Sequence, residues 1–413
     1  MTGKQTELAE FTRRLARMQR IADLPADNPF LKPLETLKAD AAAAGKRFVS
    51  FANYDYLGLA GHPAVLAAAK GAVDTVGVGV GASRLVGGER LVHGELERDL
   101  ADFFGFESAL ALISGYLTNE SIIRMLVHGA DGVFYDELSH NSIMAGVTSG
   151  RFHAAAFPHN DLDALDRMLS EKRSTLRNVL VVVEGLYSMD GDIPDLPRLL
   201  ELKQRHGFWL MVDEAHSHGV LGSTGRGIAE HFGVDQERID ISVGTFSKAF
   251  VSAGGFILAR RPVIDVLRFT LAGFVYSVGL PPPIAAAARA ALAILKAEPE
   301  RVAALAANTE RFVERCAAAG LSTGMTIGRG IVPVLFDSIE AAYFTSEALR
   351  AEGVYAPPVV QIGVPRNAPR IRFFITAAHS FEEIDRVVDL LSSFSRAMEP
   401  SRIEPRLPRM ASS

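Results

Sequence analysis

The sequence predicts an α/β protein that combines a mainly parallel central sheet with a smaller C-terminal α+β domain. Short apolar runs alternate with helical segments from residue 109 onward, a pattern typical of parallel strands joined by crossover helices. Beyond the prolines at 281–283, long helices and a few strands replace this alternation. The 413 residues are 48% hydrophobic and 22% charged, which fits a globular protein of two or three domains and excludes fibrous and disordered classes.

The N-terminal segment, residues 1–58, is expected to mix helices with extended chain. Helical spacing predicts a helix at 7–21, three prolines predict an extended connector at 23–33, and a second helix is predicted at 34–45. A strand at 48–51 and a helix at 62–76 follow, and the helix leads into a glycine-rich loop. This loop fits a tight turn at a subunit interface and a substrate-lining loop equally well. It is not a dinucleotide fingerprint, because it does not follow a strand.

Residues 59–290 are predicted to form the large domain. Its central sheet should contain six strands, at 109–113, 132–135, 179–184, 208–213, 239–245 and 255–259.

Residues 291–399 are predicted to form the small domain, followed by a disordered tail at 400–413. Its predicted elements are strands at 331–336, 354–360 and 370–376 and a helix at 381–394.

Charge and cysteine content exclude several classes of function. The net charge is −5 and no long basic run is present, so nucleic acid is not an expected partner. The single cysteine cannot form an internal disulfide, which favours a reducing compartment. Because the N-terminus lacks a signal-peptide pattern and no apolar stretch is long enough to span a bilayer, we expect a cytoplasmic protein. Peripheral membrane contact stays open.

A carboxylate and a lysine at two neighbouring strand ends indicate the chemistry. Asp213 ends the buried strand at 208–213, and Lys248 follows the strand at 239–245 through the hydroxyl residues Thr245 and Ser247. Ligands of α/β sheets bind at the carboxyl ends of strands. A desolvated lysine can form an imine with a carbonyl, and a carboxylate can hold a protonated ring nitrogen. This pair is what pyridoxal phosphate requires.

Two strings around these residues resemble a known family. DEAHSHGVLGSTGRG at 213–227 and GTFSKAFVSAGGF at 244–256 are similar to the α-oxoamine synthases, which include serine palmitoyltransferase, 8-amino-7-oxononanoate synthase, 2-amino-3-ketobutyrate ligase and 5-aminolevulinate synthase. The similarity runs from about residue 53 to residue 379. It implies a fold type I pyridoxal phosphate transferase, like aspartate aminotransferase, that acts as a homodimer. Tyr54 departs from the pattern, because many members have asparagine there.

The resemblance also implies the site residues. Lys248 would carry the cofactor, Asp213 and His216 would contact its ring, and His140 would stack on the ring face. Ser188 would bind the ring oxygen. The remaining cofactor ligands would be Ser114, Gly115, Tyr116, Thr245 and Ser247, together with Ser277 from the second subunit. Arg372, with Arg370 and Tyr54, would bind the substrate. The helix that opens at 114–118 independently suits a phosphate, because its first amides are free.

The motifs at 54–58 and 244–248 look most like serine palmitoyltransferases and polyketide-terminating synthases. They imply L-serine and a long-chain acyl-CoA or acyl-carrier-protein thioester as substrates. The product would then be 3-ketosphinganine, from the first step of sphingolipid synthesis. Apolar residues at 354–360 are expected to line an acyl channel.

Other functions remain open from the sequence. 8-Amino-7-oxononanoate synthase, aminolevulinate synthase and 2-amino-3-ketobutyrate ligase activities all fit the same motifs. Asp213, His216 and His218 could instead suggest a metal hydrolase, although a further ligand cluster is lacking. A non-catalytic partner subunit is the more serious rival, and the presence of Lys248 argues against it.

Overall fold

The computed structural model describes residues 12–13, 40–43, 46–359 and 368–397. A seven-stranded sheet in the order β3-β9-β8-β7-β6-β4-β5 forms the centre of the described chain. Its strands are β3 (Ser108–Leu112), β4 (Gly132–Asp136), β5 (His153–Phe157), β6 (Val179–Glu184), β7 (Trp209–Asp213), β8 (Ile241–Thr245) and β9 (Gly255–Ala259). Neighbours from β5 through β4, β6 and β7 to β8 pair in parallel, and β9 runs antiparallel to both β8 and β3. The expected mainly parallel sheet is therefore confirmed.

Helices cover both faces of this sheet because alternate strand residues are apolar on each side. Val181 of β6 and Leu210 of β7 belong to one core cluster, whereas Val182 and Met211 belong to the other. The α-helices are Pro63–Val76, Leu91–Phe104, Gly115–Leu126, Asn141–Thr148, Leu162–Lys172, Leu196–His206, Ile228–Phe232, Arg261–Thr270, Ala272–Val275, Pro282–Ala297, Glu300–Ala318, Ile339–Ala351 and Phe381–Ala397. Short 3-10 helices occur at Arg84–Val86, Arg173–Thr175 and Gln236–Arg238.

The C-terminal part forms an α+β unit, and two strands from residues 40–50 join one of its sheets. One small sheet has the order β10-β13-β12, with β10 at Ile331–Leu335, β12 at Pro358–Val359 and β13 at Arg370–Phe374. The other has the order β1-β2-β11, with β1 at Asp40–Ala43, β2 at Lys46–Ser50 and β11 at Val354–Tyr355. The N-terminal strand β2 thus pairs in parallel with β11 from the C-terminal part.

Three expectations about elements are corrected. Residues 40–43 form a strand rather than the end of a helix, because they pair antiparallel with β2. The strand predicted at 354–360 is two short strands, and Val354 is fully buried in the core rather than lining a channel. β5 was not predicted. The connector at 23–33 and the tail at 400–413 lie outside the described residues, as does nearly all of the helix predicted at 7–21.

Across the described residues, no helix combines the length and apolar character needed to span a bilayer.

Candidate active site

A cavity of about 530 Å³ lies at the carboxyl ends of β4, β6, β7 and β8. Parallel strands bring these ends together at one edge of the sheet, so residues distant in sequence meet there. Most of the residues predicted for the site line this cavity, namely Tyr54, Ser114, Gly115, Tyr116, His140, Ser188, Asp213, His216, Thr245, Ser247, Lys248 and Arg372.

The Asp213 carboxylate is held in place by two donors. Asn119 Nδ2 donates to its Oδ2 at 2.6 Å, and the Ala215 amide donates to its Oδ1 at 3.0 Å. Asp213 is buried at the end of β7. A carboxylate fixed in this way can stabilise a protonated ring nitrogen in the cavity.

The amine of Lys248 lies in the same cavity. Burial lowers the pKa of Lys248 from its usual 10.5 to about 8, although the carboxylates of Asp213 and Glu184 oppose this shift. Its Nζ lies 5.8 Å from the centre of the Tyr54 ring. A lysine with a depressed pKa is partly unprotonated near neutral pH and can act as a nucleophile or base.

His216 is held neutral at the wall of the cavity. Burial, reinforced by the charges of Lys248 and Arg372, holds the pKa of His216 well below its ordinary value. The hydroxyl of Tyr56 lies 2.7 Å from His216 Nδ1. When this hydroxyl donates to Nδ1, Nε2 carries the ring proton and can donate to a ligand oxygen.

His140 caps the helix Asn141–Thr148 and faces the cavity. Its Nδ1 contacts Ser142 Oγ at 2.7 Å, and its backbone amide donates to Glu184 Oε1 at 2.6 Å. Desolvation lowers the pKa of His140, because it outweighs the attraction of Asp213. These contacts hold the ring in place, and the lowered pKa favours its neutral form.

The N-terminus of the helix Gly115–Leu126 forms a cradle with the turn before Lys248. A Cβ atom built on Gly115 would lie 2.9 Å from Thr245 Oγ1, so only glycine fits there without displacing its neighbours. The Oγ atoms of Thr245 and Ser247 lie 2.8 Å apart. Free helix amides and paired hydroxyls suit a dianionic phosphate. With Asp213 and Lys248 at its other end, the cavity fits pyridoxal phosphate.

Arg372 lines the cavity with a half-buried side chain. Its Nη1 donates to Ser188 O at 2.6 Å and contacts Met189 Sδ at 3.3 Å, while the buried Nε has no hydrogen-bond partner among the described residues. A guanidinium at the wall of a cavity favours an anionic ligand, because it can form charge-assisted hydrogen bonds.

Arg370 has a different place from the one expected. It shares a face of β13 with Arg372, but its Nη1 is paired with Asp190 Oδ1 at 2.5 Å and it does not line the cavity. Asp190 partly neutralises its charge, and the expected contact of Arg370 with the substrate stays a prediction.

Ser277 does not line the cavity of a single chain. It lies between the exposed side chains of Tyr276 and Val278, so its role as a ligand from a second subunit stays a prediction.

Sequence reasoning gave no role to Glu184 and Asn119, which also line the cavity. Glu184 ends β6 directly opposite Asp213 of β7. Burial, followed by the repulsion of Asp213, raises the pKa of Glu184 to about 8. The sequence did contain a signal for Glu184, because it is a carboxylate at the end of the apolar run VLVVVE. Asn119 carried no such signal, because its contact with Asp213 joins residues 94 positions apart.

The metal-hydrolase alternative finds no support in the geometry. The ring of His218 packs 4.0 Å from Phe104 and 5.5 Å from Phe256, and burial lowers the pKa of His218 to about 3. Within the described ranges no group of three or more histidine, cysteine or acidic residues is placed to hold a metal.

The sheet topology and the cavity define a fold type I pyridoxal phosphate enzyme. Comparisons with known proteins narrow this class. Residues 46–391 match the family model for aminotransferase class I and II. The 8-amino-7-oxononanoate synthase of Stutzerimonas stutzeri is 41% identical over 350 residues, which cover 84% of this chain and 88% of the relative. The enzyme of the same name from Symbiobacterium thermophilum is 37% identical over 354 residues, 86% of this chain and 90% of the relative.

Among solved structures, the serine palmitoyltransferase of Sphingomonas wittichii superposes with a TM-score of 0.89 at 30% identity, covering 94% of this chain and 98% of that one. The chain belongs to the aminotransferase class I and II family, and within it to the α-oxoamine synthases.

Proposed function

We propose that this protein joins a small amino acid to an acyl thioester with loss of carbon dioxide. The products are an α-amino ketone, carbon dioxide and a free thiol. The observation that carries this proposal is the half-buried guanidinium of Arg372, which lines the same cavity as Lys248 and Asp213. It supplies a binding point for a carboxylate beside the lysine amine.

The bound cofactor supplies an electron sink for the negative charge that develops at Cα of the amino acid. Asp213 would keep the ring nitrogen protonated, and His216 Nε2 would donate to the ring oxygen. Arg372 would orient the carboxylate. His140 would pack on the ring face and exclude water from it.

Lys248 would hold and move the proton of the substrate Cα. Its pKa of about 8 leaves part of the amine unprotonated near neutral pH, so Nζ can take a proton from Cα and return it after carbon dioxide has left. The side chain of Tyr54 is partly exposed and lies near Nζ of Lys248, where it can contact the substrates.

L-alanine and a pimeloyl thioester are the proposed substrates. The relatives named 8-amino-7-oxononanoate synthase share up to 41% of their residues with this chain over nearly their full length. Their named product has an amino group at C8 and a ketone at C7 of a nine-carbon acid. Removing a decarboxylated alanine from this skeleton leaves a seven-carbon dicarboxylic acyl group, which defines the donor.

L-serine and a long-chain acyl thioester form a second candidate pair. Serine palmitoyltransferases superpose on 94% of this chain with TM-scores of 0.88 and 0.89. The Tyr54-Asp55-Tyr56 form of the entry motif also resembles these enzymes.

The active unit is proposed to be a homodimer. Val86 and Leu91 are 80% and 88% exposed, and Tyr276 is 87% exposed. The segments that carry them are adjacent, because the Gly279 amide donates to Ala82 O at 3.1 Å. An apolar surface of this kind favours burial against another copy. It would bring Ser277 to the partner's cavity.

Release of labelled carbon dioxide tests the proposal. L-alanine, L-serine and glycine, each labelled in the carboxyl group, are incubated with pimeloyl, palmitoyl and acetyl thioesters of coenzyme A and of acyl carrier protein. We expect release that depends on the thioester and is fastest with alanine and the pimeloyl group. Fastest release with serine and palmitoyl would support the second pair. No release with any combination would contradict the proposed reaction, and Lys248→Ala serves as the inactive control.

A further inference from the structure

His159 lies outside the cavity, between two buried carboxylates. Its Nδ1 donates to Asp136 Oδ1 and its Nε2 donates to Asp192 Oδ2, both at 2.8 Å. Asp136 is fully buried, Asp192 is 6% exposed, and the His159 side chain is 10% exposed. Both ring nitrogens therefore act as donors, and a charged imidazolium joins two acidic groups.

The two carboxylates belong to loops that build the cavity. Asp136 ends β4, and its Oδ1 also accepts the Leu138 amide at 2.8 Å in the loop that leads to His140. Asp192 closes a turn that begins at Tyr187, since the Tyr187 amide donates to Asp192 O at 2.9 Å. His159 thus ties the loop before His140 to the turn at 187–192.

The turn at 187–192 holds the side chain of Arg372 in place. The Nη1 of Arg372 donates to Ser188 O at 2.6 Å, so the position of this carbonyl sets the direction of the guanidinium. The ring of His159 packs edge-on against the Tyr187 ring, with 4.6 Å between the ring centres. The turn therefore lies between the imidazolium and the guanidinium.

Asn160 reinforces the bridge at a cost in backbone strain. Its Nδ2 donates to Asp192 Oδ2 at 2.7 Å and its amide to Asp136 Oδ2 at 2.8 Å, while its φ of 54° lies in the left-handed region. Strained backbone persists where the surrounding contacts determine it.

We propose that His159 is a positioning residue for the carboxylate of the amino-acid substrate: by joining Asp136 to Asp192 it fixes the turn at 187–192 and so aims Arg372 at that carboxylate. This inference rests on the proposed function, because it assumes that an amino-acid carboxylate binds at Arg372.

The test compares amino acids with amines that lack the carboxylate. L-alanine, L-serine and glycine are paired with ethylamine, ethanolamine and methylamine, and each is titrated into cofactor-loaded protein while the visible spectrum of the cofactor is recorded. In His159→Gln we expect the dissociation constants of the amino acids to rise about tenfold, as when a supporting residue of a binding site is lost. Those of the amines and of the cofactor should not change.

Two further variants separate positioning from folding. Asp192→Asn keeps the size of the side chain but removes its charge, and it should reproduce the carboxylate-specific loss. His206→Gln removes a histidine that contacts Asp166 at 2.6 Å far from the cavity and should have no effect on binding. In the double variant His159→Gln/Arg372→Ala, the loss should be no larger than in Arg372→Ala alone.

The outcomes are distinct. Equal losses for amino acids and amines, or additive losses in the double variant, would overturn the positioning role while leaving the proposed function intact. A wild-type protein that binds none of the three amino acids would overturn the proposed function and this inference with it.

Discussion

Arg372 is the residue whose replacement should separate substrate binding from cofactor binding. In Arg372→Ala, the buried end of the carboxylate site loses its cation, and we expect amino-acid binding to weaken by about 2 kcal/mol, the lower end of the range for a buried charged pair because the side chain is half-buried. Cofactor affinity should be unchanged. The measurement is a titration followed by the cofactor spectrum.

The matched control for Arg372 is Arg311→Ala, which removes a guanidinium of the same small domain that pairs with Asp385. This variant should bind amino acids like the wild type. If Arg372→Ala did so too, the carboxylate would have to bind elsewhere in the cavity.

His159 should give the stability of the protein a particular dependence on pH. Burial alone would lower the pKa of His159, but hydrogen bonds to Asp136 and Asp192 raise it to about 10. Because the pKa is higher in the folded protein, the charged ring stabilises the folded state fully at pH values below the unfolded pKa of about 6.5. This stabilisation is lost as pH rises through about 10. In that window the free energy of unfolding should fall by up to ~1.4 kcal/mol per pH unit on account of this group.

Urea unfolding of cofactor-free wild type and His159→Gln between about pH 7 and pH 9 measures this contribution. The difference in the free energy of unfolding between the two proteins should shrink as pH rises. The comparison cancels the opposite contribution of Lys248, whose pKa is lowered. A difference that stays constant with pH would mean that His159 is not charged in the folded protein.

The sequence predicted that residues in specific motifs at strand ends would come together. Asp213, Lys248 and His216 do line one cavity, and their roles there stay predictions. Arg370 could not be distinguished from Arg372, because the ion pair with Asp190 joins residues 180 positions apart. The bridge through His159 was missed for the same reason.

The N-terminus of the helix Gly115–Leu126 is the proposed cradle for the cofactor phosphate. In Gly115→Ala the new Cβ would lie 2.9 Å from Thr245 Oγ1 and displace it. A hydrogen bond to a charged group contributes about 1.5–3 kcal/mol, so the cofactor dissociation constant should rise at least ~tenfold. Equilibrium dialysis of the cofactor measures this change.

Gly71→Ala is the control for this helix position. Gly71 also lies in a helix, and a Cβ built there meets nothing within 4 Å. That variant should bind the cofactor normally and be as stable as the wild type or more so. Normal cofactor binding in Gly115→Ala would place the phosphate elsewhere.

Apolar runs predicted the strands of the central sheet to within about two residues, because buried parallel strands are continuously hydrophobic. They failed where alanine dominates. The edge strand His153–Phe157 contains three alanines and was missed, and Asp40–Ala43 was expected to be helical. In both cases pairing with a neighbouring strand overrides the intrinsic preference of alanine for helices.

The exposed apolar surface that contains Leu91 predicts the assembly state of the protein. We expect a homodimer in sedimentation equilibrium and a shift toward monomer in Leu91→Asp, because a charge would have to be buried in the interface. Phe344→Asp is the control, since Phe344 is also well exposed but lies on the helix Ile339–Ala351 of the small domain. A wild-type monomer with full activity would contradict the dimer.

The pairing of strand β2 with the distant strand β11 was not predictable from local patterns. Strand β2 pairs with β11, so that Val49 lies opposite Val354. Nothing in either short segment specifies the other, because the pairing depends on the packing of the domains between them.

Lys248 is the residue on which the proposed chemistry depends most, because it would hold the cofactor. Borohydride reduction of the cofactor-loaded protein, followed by tryptic digestion and mass spectrometry, tests this directly. We expect the cofactor mass on one peptide, residues 239–260, with cleavage after Lys248 blocked by the modification. Cofactor on another lysine, or no covalent label on a protein that has bound the cofactor, would contradict the account.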